Sequence, residues 1–154
     1  MFTDSDASGG SWTAGTIVLG VSPATTFNAS SIMPGDGGSQ DVTVDNTGTG
    51  DLRYAMSSSS SNADGKGLAA QMTLTVKAGT CAAPGATLYS GALSGAAFGS
   101  NAQGANPGDR NVTAGSSDSL CFSWSFPLAS GNAYQGAATS TTFTFDAEQT
   151  ANNP

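Results

Sequence analysis

In "AAQMTLTVKAG" (residues 69–79) the side chains alternate, with Met72, Leu74 and Val76 set between Gln71, Thr73, Thr75 and Lys77. A period of two puts these sets on opposite faces of an extended strand, the apolar set facing a core. The alternation recurs along the chain. No stretch of twelve or more residues carries the i, i+3, i+4, i+7 spacing of an amphipathic helix. The pattern restricts the chain to all-β folds.

"WTAGTIVLGVS" predicts a first strand with Ile17, Leu19 and Val21 on one face. In "SQDVTVDNTGTGDLRYAM", Val42 and Val44 alternate with polar residues, and Leu52, Tyr54 and Met56 resume the pattern after "NTGTG". Gly48 and Gly50 in that connector suit positive φ, so it predicts a β-hairpin. Pro34-Gly35 marks a turn, and "SSSSSNADGKG" reads as a solvated loop. Residues 84–116 are small and irregular, with one short strand at "ATLYSG" and a long loop through "GSNAQGANPGDRNVTAG". "SDSLCFSWSFPLA" sets Leu120, Phe122, Trp124 and Phe126 on one face and Cys121 on the other, while "TSTTFTFDAEQ" turns Phe143 and Phe145 inward. About seven short strands with turns between them predict an antiparallel β-sandwich, jelly-roll or immunoglobulin-like. The expected organisation is an N-terminal segment (1–10), one sandwich domain (11–150) and a polar tail (151–154).

Only 10% of residues are charged, so solubility rests on Ser, Thr, Asn, Gln and Gly, which fits an extracellular surface. The net charge is −7, and the four cations (Arg53, Lys66, Lys77, Arg110) are scattered. They form no basic stripe for a phosphate backbone, which excludes nucleic acid as a partner. No apolar run approaches the roughly 20 residues of a membrane span. A basic n-region and an apolar h-region are also missing at the start, so a secreted protein is expected here in its mature form.

Cys81 and Cys121 are the two cysteines. An even count in so polar a chain reads as one disulfide in an oxidising compartment, two separate buried thiols being the alternative. Histidine is absent, which removes the commonest general base, the Ser-His-Asp arrangement and every His-based zinc site. Glu148 is the only glutamate, and nothing in the sequence converges the loop aspartates. No catalytic residue, metal site or cofactor is expected. "DNTGTGD" (Asp45 to Asp51) lacks the ligand alternation and terminal Glu of a helix–loop–helix calcium site. Asp4 and Asp6 read as solvated carboxylates. Asn28 and Asn111 head acceptor sequons of a kind that arises by chance in a Ser/Thr-rich chain.

Several stretches together resemble one family, the secreted camelysin/TasA-like subunits of biofilm-matrix fibres. They are "FTDS", "WTAGTIVLGV", "MPGD", "VTVDNTGTGDLRY" and the closing "LCFSWSFPL" with "NAYQGAATSTTFTFDAEQT", which is similar to the actinobacterial-type members. The resemblance implies a jelly-roll sandwich that polymerises outside the cell as a head-to-tail homopolymer. In it, the N-terminal segment of each subunit completes the sheet of the next. Some members carry a metalloendopeptidase label, at odds with a chain that has no histidine.

The segment "MFTDSDASGG" fits such a role. Strand addition supplies a row of backbone hydrogen bonds while alternate side chains fill pockets. Met1, Phe2, Thr3, Asp4, Ser5, Asp6, Ala7 and Ser8 form the expected donor strand, with Met1 or Phe2 as apolar anchor. Gly9 and Gly10 form the expected hinge. The alternative function is a monomeric, surface-displayed binding or adhesion module.

Overall fold

The computed structural model describes residues 14–23 and 31–153. The expected donor strand (Met1–Ser8), the Gly9-Gly10 hinge, Trp12 and the sequon at Asn28 lie outside the described residues. The elements are β1 (Leu19–Ser22), β2 (Gly37–Asn46), β3 (Leu52–Ser60), α1 (Leu68–Gln71), β4 (Thr73–Thr80), β5 (Ala83–Ala92), β6 (Arg110–Val112), β7 (Ser117–Ser125) and β8 (Thr141–Gln149), with a 3-10 turn at Asn132–Tyr134.

Two antiparallel sheets form, one in the order β1-β2-β7-β4-β5 and the other β6-β3-β8. The alternating apolar residues meet between them. Val42, Val44, Leu74, Val76, Leu120 and Phe122 come from the larger sheet, and Leu52, Tyr54 and Met56 from the smaller; all are at most 2% exposed. Burying each such side chain contributes roughly 1.5–3 kcal/mol, so this shared layer is what holds the sheets together.

"NTGTG" does not make the predicted hairpin. β2 pairs with β1 and β7, whereas β3 pairs with β6 and β8, so the connector crosses from one sheet to the other. Its organiser is Asn46, which is 1% exposed. The Asn46 amide donates to the carbonyls of Gly50 (2.9 Å) and Val112 (3.1 Å), and its Oδ1 accepts the Gly48 N–H (3.0 Å). Gly48 and Gly50 do not have positive φ. Gly48 serves close approach instead: a Cβ there would lie 2.8 Å from Ile17 Cα and closer still to the Thr16 carbonyl.

That approach also alters the first strand, which begins only at Leu19. Upstream, the backbone runs along the crossover. The Val18 carbonyl accepts the Thr47 N–H (3.0 Å) and the Thr16 carbonyl those of Thr49 (2.7 Å) and Gly50 (2.9 Å). Ile17 is exposed rather than turned inward, while Leu19 and Val21 pack against the core as expected.

Three further boundaries move. β3 runs through the serines to Ser60 because Ser57–Ser60 pair with Thr141–Thr144 of β8. The start of the 69–79 stretch forms the short helix α1, whose Leu68 and Ala69 are buried. β5 spans ten residues rather than the six of "ATLYSG", since pairing with β4 extends a strand whose first half is exposed and carries no apolar alternation.

The β4–β5 hairpin bends at its tip. The register shifts between Val76 and Lys77 and between Lys77 and Gly79, which has φ +84°. Continued in the Ala78↔Leu120 register, Cys81 would face Ser117; instead it folds back to form a disulfide with Cys121, at a Cα separation of 4.7 Å. The tip covers Cys121 on the face away from the core and reaches β2, where Asp41 Oδ1 accepts the Cys81 N–H at 2.6 Å.

Candidate functional site

The two sheets are unequal. Among the described residues one has five strands and the other three, so at about 4.8 Å per strand the larger is roughly 10 Å wider. Among the described residues β8 pairs with β3 alone, which leaves its other edge without a strand. Such an edge presents unpaired N–H and C=O groups that a further segment can use.

Along that edge, among the described residues, runs a cleft of roughly 1140 Å³. All five residues from Thr141 to Phe145 line it, with Thr142 and Thr144 exposed and Phe143 and Phe145 half-buried. Val21 of β1 and Trp124 of β7 contribute from the larger sheet, Phe126 from just beyond β7, and Ile32 from the residues leading into β2. The sequence builds this floor in a specific way. A Cβ at Gly38 would lie 2.8 Å from Trp124 Nε1, so only glycine leaves room for the indole on β2. Phe126 is held by Tyr134 edge to face, at a centroid distance of 6.3 Å, and the Tyr134 hydroxyl donates to Gln71 Oε1 at 3.2 Å. Aromatic side chains beside a strand edge left open by the described residues are what an extended peptide needs for backbone hydrogen bonds with alternate side chains buried.

Four charged residues, Arg53, Arg110, Asp118 and Glu148, form ties between elements. Arg110 of β6 donates to both carboxylate oxygens of Asp118 on β7 (2.6 and 2.9 Å), and the Tyr54 hydroxyl of β3 donates to Asp118 Oδ2 (2.7 Å). Burial and then the Asp118 hydrogen bond push the Tyr54 hydroxyl well above the usual phenol range. For Asp118 itself burial acts to raise the pKa, but the bonds from Arg110 and Tyr54 outweigh it and hold the carboxyl below its ordinary value. Arg53 donates to Glu148 at 2.6 Å and also to the Asn153 carbonyl, pinning residue 153 of the expected tail. That Arg53 hydrogen bond is the main reason Glu148 titrates below the usual carboxylate range. These groups link β6, β3 and β8 to their surroundings.

The aspartates of "DNTGTGD" are likewise engaged. Asp45 accepts the Ser117 hydroxyl and Asp51 Oδ1 accepts the Ala114 N–H at 2.8 Å. Asn111 is exposed on β6. Sequence reasoning missed the cleft itself: its edge strand was legible in "TSTTFTFDAEQ", but the crossover that leaves β8 at a sheet margin was not.

Among the described residues, the fold and its site define a two-sheet antiparallel β domain with an aromatic-floored groove along a strand edge that no further strand covers. Residues 1–73 match the family described as camelysin metallo-endopeptidase, in agreement with the resemblance read from the sequence. The matched part ends at the first residue of β4. No curated protein gives a match. Among the described residues no helix is long and apolar enough to cross a membrane.

The family description implies a catalytic metal, and the described residues do not fit one. Among the described residues, the group of metal-ligating types within reach of one another is Asp41, Cys81 and Cys121. Both sulfurs are joined in the disulfide, so neither is a thiolate, and Asp41 already accepts the Cys81 N–H. The whole sequence contains no histidine.

Proposed function

We propose that the chain is a structural subunit of an extracellular filament and not an enzyme. Residues 1–8 of one copy add a strand beside β8 of the next, completing its smaller sheet in a sandwich of jelly-roll type. The supporting observation is the aromatic-floored cleft along the edge of β8, which has no strand beside it among the described residues.

The position of the N-terminal segment supports the same reading. Residues 1–13 join the described chain at Ala14, beside the crossover, near the Asn46 end of β2. Trp124 and Phe126 of the cleft floor lie at the opposite end, where Gly37 and Gly38 pair with Ser125 and Trp124, while Val21 lines the cleft opposite Val44. The ten residues of β2 separate these ends by roughly 30 Å. A donor leaving one end and an acceptor at the other favour head-to-tail stacking, which does not close and so yields a filament. Gly9 and Gly10 provide the hinge, with Met1 or Phe2 as the anchor in the cleft. The disulfide fits a secreted, cell-surface setting.

Negative-stain microscopy of the full chain and of a chain lacking residues 1–8 tests the proposal. Long uniform fibres from the first and separate folded particles from the second are expected. Separate particles from both would favour a monomeric binding module instead, and fibres from both would exclude the N-terminal donor.

A further inference from the structure

Among the described residues the exposed large apolar side chains are four, and they fall into two pairs. Ile17 (37% exposed) and Val18 (47%) adjoin the crossover, while Met33 (65%) lines the cleft and Leu128 (80%) abuts the Gly35 turn beside it. The second pair is held as a unit. A Cβ at Gly35 would lie 3.4 Å from Leu128 Cδ1, and Gly35 shares a turn with Met33, whose carbonyl accepts the Asp36 N–H at 2.9 Å. Two backbone hydrogen bonds of 2.8 Å, Gly35 to Phe126 and Phe126 to Asp36, clamp this turn to the loop that carries Leu128.

The pairs lie at opposite ends of β2, and each is continuous with one half of the donor arrangement. Ile17 and Val18 follow the N-terminal segment, whereas Met33 lines the cleft that would receive it. Residues 9–16, at most about 29 Å of extended chain, separate the donor from Ile17. When a donor occupies a neighbour's cleft, its own Ile17 and Val18 are therefore tethered within roughly 30 Å of that cleft, close enough to reach its rim.

We infer that Ile17 and Val18 of one subunit seat on Met33 and Leu128 of the next copy, forming a side-chain contact beside the donated strand. This inference rests on the filament reading. It gives the polymer a body-to-body joint: the strand provides connection, and the joint fixes the angle between successive domains. The two patches are different and complementary, as a non-closing heterologous contact requires.

A charge-swap series tests it on the full chain. Ile17→Asp with Val18→Asp should raise the concentration needed for fibres by about tenfold or more, and Met33→Lys with Leu128→Lys should do the same. All four substitutions together should restore assembly to near the unsubstituted level, because opposite charges then face each other across the joint. A second measurement leaves the patches nearly intact: a chain with Val18→Cys and Leu128→Cys should give a ladder of covalent multimers on a non-reducing gel. Fibres that still require residues 1–8 but are insensitive to either charged pair, are not restored by combining them, or give no ladder, overturn the joint and leave the donor strand standing. Absence of fibres from the unsubstituted chain overturns both.

Discussion

Phe122 of β7 and Phe143 of β8 meet edge to face across the two sheets, with ring centroids 5.1 Å apart. Phe122 is completely buried, whereas Phe143 is half-buried and turns part of its ring to the cleft. The contact marks where the closed core ends and the groove begins. Phe143→Ala should cost about 2 kcal/mol, less than the roughly 3–5 of a fully buried ring, because part of that ring is already open. The urea midpoint reads the loss. An unchanged midpoint would mean the sheets do not depend on this contact.

The disulfide closes a loop of 40 residues and anchors a hairpin tip rather than the core. In the chain-entropy model such a loop stabilises by about 4 kcal/mol. Cys121→Ser should therefore lower stability by a few kcal/mol while leaving the circular dichroism spectrum of the sheets in place. Asp41→Ala should loosen the same tip by a smaller amount, about 1 kcal/mol, by removing the acceptor of the Cys81 N–H. Equal effects from both variants would contradict this ranking.

Acid should destabilise the domain in a particular window. Asp118 and Glu148 both have folded-state pKa values below their ordinary ones. Their contribution is complete above the unfolded carboxylate range, near pH 4, and is lost as pH falls through the lowered folded values. Asp118→Asn should be about 1–3 kcal/mol less stable at pH 7, since Arg110 and Tyr54 lose their charged acceptor. The variant should also lose less than the parent on going from pH 5 to pH 2. Parallel stability curves for the two proteins would show that this cluster does not carry the acid response.

The sequence made the strands legible and the pairing less so. Alternation at Val42/Val44, Leu52/Tyr54/Met56, Leu74/Val76 and Leu120/Phe122 identifies the core faces because burial enforces a period of two. The same alternation is satisfied whether β2 and β3 lie side by side or face each other across a core, so it cannot distinguish a hairpin from a crossover. A single buried side chain, Asn46, organises the crossover through hydrogen bonds to Val112 and to the connector. A contact over 66 positions leaves no local signature. β5 escaped for another reason: its first five residues are exposed and carry no alternating signal. The cleft follows from the crossover, so it too was invisible, although the aromatic residues that floor it were placed on the correct face.

Gly48 offers a test of the crossover. Gly48→Ala would drive a Cβ into Thr16 and Ile17. It should cost about 1–3 kcal/mol and open residues 14–18 to proteolysis well before the core strands. Gly65→Ala, at a positive-φ position with nothing within 4 Å of its Cβ, separates backbone strain from this collision. It should leave residues 14–18 as protected as in the parent. Protection retained in Gly48→Ala would mean that this segment does not depend on the close approach.

Amide hydrogen exchange along β8 tests strand addition most directly. In fibres of the full chain, those amides of Thr141–Phe145 that point away from β3 should exchange far more slowly than in the folded chain lacking residues 1–8. Adding the peptide "MFTDSDASGG" in excess to the truncated chain should restore that protection without restoring fibres, since the peptide fills the groove but carries no domain. If the β8 edge exchanges equally fast in fibres and in the truncated chain, no strand is added there, and the donor account is contradicted at its centre.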